Sequence, residues 1–292
     1  MDHIPLDSSY TWTEVRALGC DPWADPCRRH PDLPRPLRIA VREPDLATLC
    51  RAWRRVLPSD AAFGFDTAVA LHGARSGQPS PMHVVLRPRS VLPQRAGIRV
   101  HVRRMAEEDV VDIAGLRVTS GAQTFLDMAA GVHPPDLLAL GDGLARAGRL
   151  DAAALAQRLS RARGVRGVVQ ARQWAPHVTA AAGSHPESTL RYWLLVSDLP
   201  APQVQVPVLD RRGRALVHAD LGYPEWKVAL EYEGRQHADR DQFGRDIDRY
   251  SLMAADGWLV LRFAARHMTG GVVVVDRTRR ALISRGWRPG RG

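Results

Sequence analysis

The spacing of apolar residues is weak at the start of the chain and becomes regular from residue 45 onward. Seven prolines interrupt the first fifty residues, so we expect an extended arm with short turns there. Apolar residues at helical spacing predict five helices, over residues 45–57, 65–72, 119–130, 135–147 and 151–161. Alternating apolar and polar residues predict two strands, over residues 82–87 and 97–103. Asp151 is the expected N-cap of the fifth helix.

From Ser184 onward the pattern predicts a helix, three strands, a helix, a strand and a helix. The predicted helices cover residues 186–196, 243–255 and 269–284, and the predicted strands cover 204–208, 215–221, 226–233 and 258–263. Val272–Val275, inside the last helix, would suit a strand equally well. A meander followed by a crossover helix requires a mixed sheet covered by helices. We therefore expect an α/β protein, with a mixed α/β region followed by an α/β module.

The composition excludes disorder as the overall state, since 45% of the residues are hydrophobic and 25% are charged. No run of 18 apolar residues occurs, and residues 1–10 show no basic or apolar signal region, so we expect no membrane span and no secretory signal. An odd number of cysteines, three, argues against a disulfide framework. We expect a soluble, cytoplasmic protein.

The formal net charge of +10 arises from 41 basic and 31 acidic residues. A phosphate backbone attracts such a charge through counterion release, which favours a DNA or RNA partner. Lys227 is the only lysine, however, and the abundance of alanine and arginine is typical of a GC-rich genome. Charge alone leaves both explanations open.

Five arginines without an intervening acidic residue lie at and beyond the end of the helix predicted over 151–161: Arg158, Arg161, Arg163, Arg166 and Arg172. This stretch fits a helix end that contacts phosphate, and it also fits a solvated surface helix that leads to a linker. The second interpretation is favoured because runs of charge usually face water. The segment 180–184 closes the region, and we place a domain boundary there.

Three carboxylates are expected to converge in the C-terminal module. Glu231 and Glu233 share one face of their strand because side chains alternate with a period of two residues. A hairpin through Gly222 and Pro224 would bring Asp220 beside them. Converging carboxylates repel one another and favour a cation, and oxygen ligands suit Mg²⁺ or Mn²⁺. Alternatively, the two glutamates form the solvated side of an edge hairpin, and each pairs with an arginine.

The segment after this strand favours the first interpretation. The sequence Glu-Tyr-Glu-Gly-Arg-Gln-His over residues 231–237 places Gln236 and His237 beside the carboxylates. A metal with an adjacent imidazole is a recurring arrangement for phosphodiester hydrolysis.

These residues also carry a family resemblance. Asp220, the segment 231–237, the pair Arg245-Asp246, Arg249 and the Gly257-Trp258 strand start together resemble the PD-(D/E)XK nuclease superfamily. More narrowly, they resemble its branch related to very-short-patch repair endonucleases. The resemblance covers about a third of the chain, from Ser184 to Gly286, and implies a restriction-endonuclease-like αβββαβα fold and metal-dependent DNA cleavage.

The resemblance also implies roles for single residues. Asp220 and Glu231 match the metal ligands of the family, and Glu187 matches an additional acidic ligand on the leading helix. Glu233 stands where the broader superfamily has a lysine, so Gln236 or His237 would have to help activate water. Arginines in and beyond the same segment, Arg235, Arg245 and Arg249, are the expected contacts to DNA phosphates.

The N-terminal half resembles a different family. The runs 65–73 and 115–120, with Thr124–Ala129, are similar to the C-terminal domain of AbiEi-type antitoxins. The expected organisation is therefore an arm with a helix at 1–60, an antitoxin-like domain at 61–183 and an endonuclease-like domain at 184–292. This resemblance implies a toxin or another defence-system protein as a partner.

Together these features predict a Mg²⁺- or Mn²⁺-dependent DNA endonuclease that acts in DNA repair or phage defence. The alternative is a non-catalytic DNA-binding regulator of antitoxin type that keeps the nuclease fold as a scaffold. A module that binds only other proteins is a third hypothesis.

Overall fold

The computed structural model describes residues 9–17, 33–34, 37–39, 43–209, 213–234 and 249–289, and only the backbone of Trp12 and Leu216. The chain forms two compact units. The first comprises Met1–Gly131 with Ala147–Gln173, and the second comprises Val132–Arg146 with Trp174–Gly292. The domain boundaries expected after residues 60 and 183 remain predictions from the sequence.

The described residues form strands in three sheets. The strands are β1 (Ser9–Thr11), β2 (Leu37–Ile39), β3 (Ala62–Phe63), β4 (Met82–Leu86), β5 (Ile98–Val102), β6 (Val110–Ile113), β7 (Leu116–Thr119), β8 (Gln203–Leu209), β9 (Ala215–Tyr223), β10 (Val228–Glu233) and β11 (Leu259–Ala264). The helices are α1 (Trp12–Ala17), α2 (Leu46–Arg54), α3 (Phe65–Leu71), α4 (Gly121–Met128), α5 (Pro134–Arg146), α6 (Ala152–Arg161), α7 (Val168–Trp174), α8 (His185–Leu195), α9 (described over residues 249–255) and α10 (Val272–Ser284). None of the helices in the described ranges is long and apolar enough to cross a membrane.

The first unit is built on a five-stranded mixed sheet in the order β5-β4-β3-β7-β6. The short strands β1 and β2 form a separate antiparallel pair. Buried residues of α2, among them Leu49 and Trp53, pack with Phe63 and Val84 of the sheet. Burying such side chains stabilises the unit by roughly 1.5–3 kcal/mol each. This core fixes the position of the strands and loops of the first unit.

The second unit contains a four-stranded sheet in the order β11-β10-β9-β8. Strands β8, β9 and β10 are antiparallel neighbours, whereas β10 and β11 run parallel. The connection from β10 to β11 passes through α9, and α8 and α10 precede and follow the sheet. Strand β10 is therefore a central strand with a neighbour on each side. The alternative interpretation, which placed Glu231 and Glu233 on an edge hairpin, is wrong in that respect.

Both faces of this sheet are covered. On one face, Leu230 packs with Leu194 of α8 and Leu282 of α10. On the other face, Ala229 packs with Met253 of α9 and with Trp258. A sheet buried on both sides leaves little water around polar side chains that point from its centre. Glu231 is such a side chain.

The mixed sheet and the αβββαβα order agree with the pattern of the sequence, and the α/β class is confirmed. The strand alternative for Val272–Val275 is wrong, because α10 begins at Val272. Asp151 caps α6, as expected, by accepting a hydrogen bond from the backbone N–H of Ala154 at 2.7 Å. The part of the helix predicted at 243–248 lies outside the described residues.

The sequence pattern misses the hairpin of β6 and β7. A two-residue loop joins these strands, and both of its residues have positive φ, Ala114 at 49° and Gly115 at 79°. Asn-Gly or Asp-Gly is the usual signal for such a turn, because most side chains disfavour positive φ. With alanine at the first position, the signal is absent from the sequence.

A buried ion pair joins α5 to α8 in the second unit. The Arg191 guanidinium donates to both carboxylate oxygens of Asp142 at 2.6 and 2.8 Å, and Asp142 is fully buried. Asp142 also accepts hydrogen bonds from the Ser188 hydroxyl at 2.6 Å and from the backbone N–H of Thr179 at 2.8 Å. Every strong acceptor position of this carboxylate is thus used, which offsets the cost of burying the charge.

Replacing Asp142 by alanine is expected to destabilise the second unit by about 3–5 kcal/mol, because it leaves the buried Arg191 charge without a carboxylate partner. Urea denaturation followed by tryptophan fluorescence measures the loss. Asp198→Ala is the matched control, since it removes an exposed carboxylate that pairs with Arg279 in the same unit. We expect little change in the control, and equal losses in the two variants would contradict the assignment.

Candidate functional site

The site lies where the central strands β9 and β10 run side by side. Leu221 pairs with Leu230 in the antiparallel ladder, so Asp220 and Glu231 occupy adjacent strands at the same level. The backbone N–H of Tyr232 donates to the Asp220 carboxylate at 2.9 Å. The juxtaposition of Asp220 and Glu231 that the sequence predicts is thus present in the structure.

Asp220 occupies a place where the ribbon of β8 and β9 changes faces. Val206 and Ala219 pack toward α9, whereas Val204 and Leu221 pack toward α8 and α10. Gln205 has a φ of 51°. A left-handed residue breaks the alternation of side chains along a strand. Asp220 lies between Ala219 and Leu221, where the packing of β9 changes from one face of the sheet to the other.

Glu231 carries the most strongly perturbed carboxylate of this site. Its side chain is only 4% exposed. Burial, reinforced by the charge of Asp220, raises the pKa of Glu231 to about 8, although Arg249 acts in the opposite direction. Burial likewise raises the pKa of Asp220, and the nearby charges of Glu187 and Glu233 add to the effect. Two desolvated carboxylates side by side require a proton or a cation.

Arg249 of α9 supplies that cation. One of its terminal nitrogens lies 2.8 and 2.9 Å from the two carboxylate oxygens of Glu231. The same nitrogen donates to the backbone carbonyl of His218 in β9. The guanidinium therefore links α9 to both central strands at the carboxylate site. The predicted phosphate contact of Arg249 competes with this bond for the same guanidinium.

Glu233 has separate partners. The Arg262 Nε donates to its carboxylate at 2.7 Å, and the Tyr250 hydroxyl donates to the same oxygen. The hydrogen bond from Arg262 lowers the pKa of Glu233, despite partial burial. The Arg262 guanidinium also lies 4.4 Å from the centre of the Tyr250 ring, a cation–π contact. Each of the two glutamates thus has an arginine partner, as the alternative interpretation expected.

Glu187 lies at the first turn of α8, where its carboxylate has local partners. It accepts hydrogen bonds from the backbone N–H of Gly183 and from the Ser184 hydroxyl, both at 2.8 Å. Ser184 in turn accepts from the backbone N–H of Glu187 at 3.4 Å. A Ser-x-x-Glu pair of this kind is a helix-capping arrangement. Glu187 therefore has a structural role that accounts for its position without a metal.

As arranged, the carboxylate oxygens of Asp220, Glu231 and Glu187 do not fit a divalent cation. Both oxygens of Glu231 accept from Arg249, one oxygen of Asp220 accepts from Tyr232, and Glu187 caps a helix. Across the described ranges, no three His, Cys, Asp or Glu side chains form a group that could hold a metal ion together. A metal at Asp220, Glu231 and Glu187 would require these contacts to be exchanged.

Four of the predicted site residues lie outside the described residues: Arg235, Gln236, His237 and Arg245. Their roles in proton transfer and phosphate contact remain predictions from the sequence.

Tyr250 and Arg262 are part of the site but were not among the predicted residues. Arg262 is the parallel register partner of Glu231, so a correct alignment of β10 with β11 could have identified it. Tyr250 follows Arg249 on α9, and no local pattern in the sequence shows that this helix packs against the carboxylate face.

Comparison with known proteins finds two relatives over most of the chain and one domain family over its first half. Two uncharacterized proteins of Mycobacterium tuberculosis, from strains CDC 1551 / Oshkosh and ATCC 25618 / H37Rv, are each 28% identical to this chain over 242 residues. The alignments cover 82% of this chain and 84% of each relative. Residues 60–176 match the family model of the AbiEi antitoxin C-terminal domain. Over this range the chain is similar to AbiEi antitoxins, which confirms the antitoxin resemblance.

Proposed function

We propose that the protein is a DNA-binding regulator of antitoxin type and that its second unit is a non-catalytic scaffold. The observation that carries this proposal is the contact between Arg249 and both carboxylate oxygens of Glu231. The match of residues 60–176 to the AbiEi antitoxin C-terminal domain supports the regulatory class. A toxin or another defence-system protein is the expected protein partner.

The physical reason is competition for one carboxylate. A metal ion at Glu231 would have to displace a guanidinium whose hydrogen bonds to the carboxylate are charge-assisted and largely shielded from water. Glu233 is likewise held by Arg262 and Tyr250. Arginines of the protein itself would therefore provide the positive charge that a metal provides in a nuclease.

DNA is the proposed nucleic-acid partner because of the overall charge. With 41 basic and 31 acidic residues, the chain carries a net charge of +10. A field of this sign attracts a phosphate backbone over distances of about a Debye length, roughly 8–10 Å at ordinary salt. Electrostatic binding of this kind does not need a catalytic centre.

A metal-dependent DNA endonuclease is the second candidate function. The specific observation in its favour is that Asp220 and Glu231 lie on adjacent strands of the αβββαβα module, and burial raises the pKa of each carboxyl. In that case Mg²⁺ or Mn²⁺ would take the place of Arg249 at Glu231, and Glu187 would leave its capping position. Gln236 or His237 would serve in proton transfer.

The first test compares DNA binding with DNA cleavage. We expect the purified protein to shift duplex DNA in a gel without cutting it in Mg²⁺ or Mn²⁺. Its affinity should fall steeply with salt, by about 10³ between 50 and 200 mM if six phosphates are contacted. Asp220→Asn should bind DNA as the wild type does. Metal-dependent cleavage that Asp220→Asn abolishes would establish the second candidate instead.

The second test is the pH dependence of stability. Because burial raises the pKa of Glu231 from 4.5 to about 8, the folded state binds this proton more tightly than the unfolded chain does, and stability falls as pH rises across that range. The unfolding free energy of wild type relative to Glu231→Gln should therefore decrease across this range, on the order of a few kcal/mol. Urea titrations at several pH values measure it. An increase with pH would show that the folded pKa of Glu231 is depressed.

The third test isolates the Arg249 contact. Arg249→Ala should cost about 3–5 kcal/mol at pH 9, where Glu231 is ionised and loses its only arginine partner among the described residues. At pH 6 the loss should be smaller, because Glu231 can keep its proton. The double variant with Glu231→Gln serves as the control in a double-mutant cycle. A coupling between the two sites that does not change with pH would contradict an electrostatic pair.

A further inference from the structure

A cavity of about 640 Å³ in the first unit is lined by arginines. It lies between the segment that follows β5 and the end of α6 with the loop beyond it. Asp109 also lines it, and six of the lining residues are arginines, namely Arg103, Arg104, Arg158, Arg161, Arg163 and Arg166. Three of them pair with carboxylates, and the other three have no carboxylate partner among the residues that the structure describes.

The paired arginines form the rigid wall of the cavity. Arg158 is buried, and its Nε lies 2.6 Å from the Gln123 side-chain oxygen and 3.2 Å from the Asp109 carboxylate. Arg161 donates to the same carboxylate at 2.8 Å. Arg103 donates to the buried Asp127 at 2.8 Å. Because these carboxylates are themselves buried, they hold the guanidinium groups in fixed positions.

The remaining arginines carry positive charge that the described residues leave uncompensated. Arg104, Arg163 and Arg166 are exposed, and none of them has a carboxylate partner in the described ranges. The interpretation of this arginine stretch as a solvated surface helix is therefore wrong for Arg158, which is buried. Arg163 and Arg166 are exposed, as that interpretation predicts, but both line the cavity.

The loop that carries Arg163 and Arg166 is constrained at both ends. Gly167 has a φ of 86°, and a Cβ atom there would lie 2.5 Å from the backbone nitrogen of Ala130. Arg172 of α7 donates to the carbonyls of Leu159 and Ala162 at 3.0 and 2.8 Å. These bonds place the positive charge of Arg172 at the C-terminal end of α6, where it offsets the negative dipole end that would otherwise disfavour an anion.

We infer that this cavity binds the polyphosphate group of a small ligand such as a nucleoside triphosphate. Its volume falls within the roughly 300–1,000 Å³ typical of small-molecule sites. Planar guanidinium groups bind phosphate oxygens in pairs, and the three uncompensated arginines match an anion with several negative charges. A concave site of this size suits a compact anion better than a duplex, whose backbone is contacted on open surfaces. This inference stands apart from the proposed function, because it requires no DNA.

The test is isothermal titration calorimetry of the full chain with sodium tripolyphosphate. We expect one site per chain whose affinity falls with added salt. Arg163→Ala and Arg166→Ala should each weaken binding about tenfold or more, since each removes a charged hydrogen-bond donor. Both side chains are exposed, so the fold should persist, and thermal melts verify it. Arg51→Ala, which removes an exposed charge of α2 outside the cavity, should bind as the wild type does.

Two outcomes would overturn the inference. The first is that tripolyphosphate does not bind, or that Arg163→Ala, Arg166→Ala and Arg51→Ala all change its affinity equally. The other is binding of a short DNA duplex that depends on Arg163 and Arg166 while tripolyphosphate does not bind. That result would assign the arginines to a DNA backbone contact.

Discussion

The packing of two carboxylates side by side at the centre of a covered sheet is the constraint that organises the second unit. Asp220 and Glu231 lie on adjacent central strands, and helices cover both faces, so neither charge is fully solvated. Burial makes each carboxyl hold its proton more tightly. Arg249 meets Glu231 and the carbonyl of His218 together, so α9 is anchored to β9 and β10 through this one side chain. The sheet, the helix and the charge of the site therefore depend on one another.

Much of this unit could be predicted because its determinants are local. The αβββαβα order follows from alternation and helical spacing, and the short connection between β9 and β10 brings Asp220 beside Glu231. The contact of Arg249 with Glu231 could not be predicted, because it depends on how α9 packs across the sheet. Arg249 lies 18 residues after Glu231, beyond the reach of any local pattern. The position of Glu187 is compatible with two roles, a metal ligand and a helix-capping residue, because Ser184 lies three residues before it. The β6 and β7 hairpin was hidden because Ala114 occupies a position at which glycine or asparagine is usual.

The first unit shows the same difference between local pattern and tertiary partner. A run of arginines looks uniform in the sequence, yet its members have different surroundings in the fold. Arg158 is buried in a network with Asp109 and Gln123, and Arg172 closes a helix end. Arg163 and Arg166 remain without carboxylate partners in the described ranges and face a cavity. Asp109, about fifty residues earlier in the chain, is the acidic partner of Arg158 and Arg161. The spacing of arginines within the run cannot show that pairing.

The central claim is that a guanidinium, and not a metal ion, is the cation of the Asp220 and Glu231 site. A titration of the full chain with Mn²⁺, followed by electron paramagnetic resonance of the free ion, tests it most directly. Glu231→Gln is the reference, because it removes the carboxylate charge and keeps its shape. The wild type should take up no more Mn²⁺ at millimolar concentrations than the Glu231→Gln variant does. One equivalent of Mn²⁺ bound by the wild type, and lost in Glu231→Gln, would contradict the account and make the site a metal centre.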